Sequence, residues 1–155
     1  MLKKNDRHKK MSILLAGDDD AYMFSLYATL KILGIEEVLR CSSLGGVKRI
    51  VTRKAPALLL YDFYSWEDDL DWVYQLKRSD PAADPLVISV HTGGTGNVIK
   101  HVREGIIFDL VKKPVDEEIL LTKIIRAQTH RELIAAYRKS RLSLDYSPKS
   151  SVMSS

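Results

Sequence analysis

The chain has 155 residues, 45% of them hydrophobic, one cysteine and a net charge of +4. That length holds one domain with a real core, and no apolar run approaches the roughly 18–20 residues of a membrane span. The lone Cys41 excludes an internal disulfide and fits a reducing, cytoplasmic location.

The positive charge belongs to the ends. Residues 1–10 carry five Lys/Arg and one acid, and residues 126–155 carry six and two, which leaves the middle of the chain acidic. The start is basic but no long apolar segment follows it, so it does not read as a signal peptide. No helix-turn-helix, zinc-ligand spacing or RNA-binding aromatic motif is visible, so no dedicated DNA-binding function is expected.

In chain order, a basic tail (1–10) leads into Ser12-Ile13-Leu14-Leu15-Ala16, a short buried strand ended by Gly17. Asp18-Asp19-Asp20 follow, with Asp20 placed to cap a helix that carries Tyr22, Leu26, Leu30 and Leu33 and closes at Gly34. Glu37–Cys41 reads as a strand, and Ser42 or Ser43 caps a helix through Val47, Ile50 and Val51. Ala57-Leu58-Leu59-Leu60-Tyr61-Asp62 is an apolar run without polar alternation, the pattern of a strand buried on both faces, and it stops at a carboxylate. An acidic loop and a helix through Leu70, Trp72, Val73 and Leu76 come next, then a fourth strand, Pro85–Val90. His91–Asn97 is a Gly-rich loop before a short helix ending at Gly105. Phe108–Lys112 is the fifth strand, cut off at Lys113-Pro114; Asp116 caps a last helix through Tyr137, and the Ser-rich end from Ser143 reads as disordered.

Strict alternation of five strands and five helices predicts an α/β fold, a flavodoxin-like parallel sheet of order 2-1-3-4-5 with helices on both faces. The last helix outruns the sheet by about two turns. In such sheets chemistry sits outside the carboxyl ends of the strands, and Asp18, Asp62 and Lys113 stand at three of those ends. Two carboxylates at roughly 4 Å repel by about 4 kcal/mol at an effective dielectric near 20, so they ask for a cation. Mg²⁺ takes one or two carboxylates and keeps several waters, and a Lys opposite meets an oxyanion. This set suits phosphoryl transfer to a carboxylate nucleophile.

The stretches Ile13–Asp19, Leu58–Asp62 and Phe108-Asp109-Leu110-Val111-Lys112-Lys113-Pro114-Val115-Asp116 resemble the receiver domain of bacterial two-component response regulators over residues 11–129. The resemblance implies that Asp62 is the phosphoacceptor, that Asp18 and the backbone carbonyl of Tyr64 join it as Mg²⁺ ligands, that Lys113 contacts the phosphate and that the Lys113-Pro114 bond is cis. It implies a histidine kinase or phosphotransfer protein upstream, a target protein downstream, and no separate catalytic turnover. The sequence also departs from the family. Of its two acids after the first strand, counting from Gly34 puts Gly17 at the first position and Asp18 at the second, with Asp19 replacing one if the loop shifts. The hydroxyl residue at the end of the fourth strand is Val90 counted from Gly105, or His91 counted from Lys113, with Ser89 and Thr92 adjacent. The aromatic three residues before the lysine is Leu110, and the proline four after the phosphoacceptor is Trp66.

Mg²⁺ binding is therefore expected to be weak. Three functions compete: a phosphorelay receiver, favoured by Asp18, Asp62 and Lys113-Pro114; a pseudo-receiver that binds partners without phosphorylation, favoured by Gly17, Val90 and Leu110; and a flavin or nucleotide binder, ranked last for want of a phosphate loop after the first strand. No output domain follows residues 130–142, the extension of the last helix, so signalling would pass through protein contacts, and the extension itself offers a homodimer contact. Glu67–Asp71 reads as a solvated helix start, His91 as a loop residue, His101 and His130 as surface residues and Trp72 as core.

Overall fold

A computed structural model describes residues 8–62, 71–76, 84–91 and 96–145. Five strands, β1 (Ser12–Gly17), β2 (Glu37–Cys41), β3 (Leu58–Asp62), β4 (Leu86–His91) and β5 (Asp109–Lys112), alternate with α1 (Asp20–Ile32), α2 (Leu44–Lys54), α3 (Asp71–Gln75), α4 (Gly96–Arg103) and α5 (Glu117–Asp145). All strand pairs are parallel and the order is β2-β1-β3-β4-β5, as the alternation predicts.

The apolar run of β3 explains its central place. Leu58, Leu59, Leu60 and Tyr61 are at most 1% exposed, so both sides of the strand need cover. Because side chains alternate along a strand, Leu58 and Leu60 join one core and Leu59 and Tyr61 the other. The first core is closed by α1 (Met23, Leu26, Leu30) and α5 (Leu120, Ile124, Ala127). The second is closed by α2 (Val47, Val51) and α3 (Trp72, Val73), with Trp72 edge-on to Tyr61 at 5.0 Å between ring centroids. Trp72 is thus core, as its position in the sequence suggests.

Helix starts follow from the side-chain oxygens available. The cap of α1 is Asp19, whose carboxylate accepts from the Tyr22 N–H at 3.0 Å; Asp20, the residue expected there, is already helical. In a run of three Asp residues any one can cap, and the register of β1 decides which. Ser43 caps α2 by accepting from the Gly46 N–H, and Asp116 caps α5 by accepting from the N–H groups of Glu118 and Ile119. Gly34 has φ 91°, and a Cβ there would crowd the stem of Lys9 at 3.0 Å. The Lys9 carbonyl accepts from the Glu36 N–H at 2.8 Å, so residues 8–10 are bound to the body of the domain.

Four further differences from the sequence reading have local causes. His91 ends β4 rather than starting a loop, because it pairs with Lys112 in the parallel ladder. The second half of the Gly-rich stretch is already helical, α4 beginning at Gly96. His101 is not a plain surface residue: its carbonyl takes the N–H groups of Ile106 and Ile107, and its Nδ1 is buried. The last helix runs through Ser143 to Asp145, since extending a formed helix is easy once its first turn is made.

The 29-residue α5 is tied to the sheet near its midpoint. There the His130 ring lies 5.2 Å from that of Phe108, and Arg131 donates to the Asp84 carbonyl. Beyond, Leu133 and Tyr137 are each 63% exposed. No helix among the described residues is long and apolar enough to cross a membrane.

One position is locally unfavourable. Ala55 closes α2 in the left-handed region, with φ 46°, where its Cβ is crowded. Ala55→Gly is expected to stabilise the fold by about 0.5–1 kcal/mol, the relief outweighing the entropy glycine adds to the unfolded chain; urea unfolding of the two proteins reads this directly.

Candidate functional site

The carboxyl ends of β1 and β3 and the residue after β5 place three positions side by side. Gly17 is the register partner of Asp62. Gly17 follows Ile13 and Leu15 on the α1/α5 face and Asp62 follows Leu58 and Leu60, by the two-residue period of a strand, while Lys113, just past β5, reaches the same rim through its contact with Asp62. All three side-chain positions therefore face the same way at the rim, under the first turn of α1.

Lys113 Nζ stands 2.5 Å from Asp62 Oδ2, with the two side chains 19% and 11% exposed. The lysine is followed by a cis bond to Pro114, as the resemblance implies. The same ammonium lies 3.9 Å from the ring centroid of Tyr22, over its face, so the aromatic quadrupole adds to the attraction of the carboxylate. Tyr22 comes from α1 and packs partly against the α1/α5 core. Its hydroxyl is shut off from solvent and has no hydrogen-bond partner among the described residues. Burial first, then the nearby charges of Asp62 and Asp19, push its ionisation up to about 12.

The place beside Asp62 where an acidic side chain would stand at position 17 is filled from α1. A Cβ on Gly17 would meet Met23 Sδ at 2.7 Å and its Cε at 2.9 Å. A thioether thus sits against the rim where a second carboxylate was sought. Asp18 follows directly and is exposed. Asp19 is occupied as the cap of α1 and does not shift into the site. Among the described residues no three His, Cys, Asp or Glu side chains form a metal cluster. Tyr64, Trp66 and Thr92, named from the sequence, lie outside the described residues.

Neither described β4 side chain near the rim supplies the expected hydroxyl. Val90 is 1% exposed and belongs to the α1/α5 core. Ser89 alternates with it, so its fully buried Oγ points to the opposite face and has no partner among the described residues. On β5, Leu110 lines a groove of about 310 Å³ with Pro114, Ile119 and Lys123. The Lys123 ammonium there is 2.9 Å from Asp109 Oδ1. Tyr22 and Met23 are the site residues that the sequence reading missed; their signal was their place in the first turn after the β1 rim.

No protein-family model matches the sequence, and no curated protein does. Solved structures do. A response regulator receiver domain from Clostridium thermocellum is 22% identical, with a TM-score of 0.67, over 80% of this chain and 98% of that one. The signal receiver domain of a LuxO-like repressor from Vibrio parahaemolyticus is 19% identical, with a TM-score of 0.67, over 83% and 97%. NtrX from Brucella abortus is 20% identical, with a TM-score of 0.73, over 85% of this chain and 29% of that longer one. The fold is that of response regulator receiver domains, with a long C-terminal helix added.

The phenol of Tyr22 ionises more readily in the unfolded chain, where its ordinary value is 10.0, than in the fold, where it is about 12. The folded state then holds the proton that the unfolded state loses, so this contribution to stability is full below pH 10.0 and is lost as pH rises to about 12. Stability measured across that window is expected to fall less steeply in Tyr22→Phe than in the parent.

Proposed function

We propose that this chain is a receiver-type signalling domain that takes a phosphoryl group on Asp62 and acts through protein contacts, without turnover of its own. The observation that carries this is the Asp62–Lys113 pair at the carboxyl rim of a parallel sheet. A carboxylate oxygen of Asp62 attacks the phosphorus of a donor phosphohistidine or acyl phosphate. The P–N or P–O bond to the donor breaks, its electron pair leaves with the donor, and an acyl phosphate remains on Asp62. Lys113 is released from the carboxylate toward the phosphoryl oxygens, a point charge well suited to meet them.

Mg²⁺ would be held by Asp62, Asp18 and the Tyr64 carbonyl, all hard oxygen donors, and would supply charge neutralisation during transfer. Gly17 contributes no ligand, so we expect a largely hydrated, weakly held ion. A second reading, an interaction module that works without phosphorylation, is favoured by the Met23 thioether against Gly17. Acetyl phosphate with Mg²⁺ separates the two: one added phosphoryl group by mass spectrometry, absent in Asp62→Asn, is expected. No adduct together with no spectral response to beryllofluoride would leave the interaction module.

The donor protein is proposed to be a histidine kinase or phosphotransfer protein that docks on α1. Phe24 and Ile32, 63% and 75% exposed, lie two helical turns apart with Ala28 between them, an apolar stripe of the kind a helix packs on. The projecting half of α5 is the candidate contact for a downstream target or a second copy of the chain, in a cytoplasmic setting. Phe24→Ser is expected to slow phosphorylation by a protein donor by about tenfold and to leave that by acetyl phosphate unchanged, both measured as initial rates of adduct formation.

A further inference from the structure

Buried donors without a partner are costly, and each asks for a reason. Among the described residues four side chains bury a polar atom without a partner: His8, Ser89, His101 and Tyr22. His8 precedes β1, at the far end of the sheet from the rim. Ser89 points into the opposite core, and His101 lies near the end of α4. Tyr22 alone of the four stands at the acidic rim.

Its position is fixed by a shared cation. Lys113 Nζ is 2.5 Å from Asp62 Oδ2 and 3.9 Å from the Tyr22 ring centroid, so phenol and carboxylate lie within a few ångströms of one ammonium. Yet the hydroxyl does not bond to Asp62 itself. A phosphoryl group on Asp62 extends the acid outward and adds three acceptor oxygens. We propose that Tyr22 Oη donates a hydrogen bond to a phosphoryl oxygen carried by Asp62, supplying from α1 the hydroxyl that Val90 does not supply from β4. The proposal rests on the phosphoacceptor reading of Asp62. A phenol whose ionisation is pushed up to about 12 remains a donor at neutral pH, consistent with this role. The ring and the hydroxyl have separate tasks: the ring face seats the lysine, and the hydroxyl meets the anion.

Tyr22→Phe keeps the ring and removes the hydroxyl, so it isolates the second task. Beryllofluoride with Mg²⁺ is the probe, titrated against full-length protein and followed by tryptophan fluorescence. A hydrogen bond to a charged group is worth a factor of roughly ten to a hundred in affinity. The half-saturating beryllofluoride concentration is expected to rise by that factor in Tyr22→Phe, and the Asp62 acyl phosphate to hydrolyse faster, with the thermal midpoint little changed. In the parent, binding is expected to produce a near-ultraviolet tyrosine difference band that is lost in the variant. Equal beryllofluoride affinity in the two proteins, with the parent phosphorylated on Asp62, overturns the Tyr22 assignment and leaves the phosphoacceptor reading standing. A parent that neither binds beryllofluoride nor forms the adduct overturns both.

Discussion

An ammonium held 2.5 Å from a carboxylate, over the face of an aromatic ring, is the interaction around which the rim is built. The three groups come from the end of β3, the first turn of α1 and the segment after β5, all at the carboxyl rim of the sheet. The pair is only partly exposed, so solvent screens it less than a surface salt bridge. Its geometry depends on the two cores, since a shift of α1 or β5 would move one of the three groups away from the others.

Two of these groups were legible in the sequence and one was not. Asp62 is a carboxylate at the abrupt end of an apolar run and Lys113 stands before the proline that cuts off the fifth strand, and the alternation of strands and helices says which ends share a rim. The sheet order follows from the same alternation. The role of Tyr22 could not be read in this way, because an aromatic residue at helical spacing belongs by default to a core, and Tyr22 does pack partly on one. Its second contact, with Lys113, joins positions at opposite ends of the domain's sequence. The vacancy at Gly17 was visible, but not that Met23 fills it, because an apolar residue at helical spacing belongs by default to a core.

Other misreadings were local. Three consecutive Asp residues give a helix cap no unique address, and Asp19 takes it because β1 extends through Gly17. Ser89 was visible as a hydroxyl near the rim, but its face depends on the strand register, and one residue of difference turns it into the opposite core. The expected hydroxyl is thus missing from the rim-facing side chains described on β4, while the hydroxyl of Tyr22 on α1 stands close by.

The length of α5 has a mechanical meaning. At 29 residues it is about 43 Å long, roughly twice a six-residue strand. Its ties at His130 and Arg131 act as a fulcrum near the middle, leaving an outer arm of roughly 20 Å. A rigid rod pivoted there converts a tilt of about 10° at the base into a swing of about 3.5 Å at the tip. The near arm begins a few residues after Lys113 and is about as long as the outer one, so a small adjustment at the rim would be delivered at about its own size, and in the opposite direction, to whatever rests on the far end.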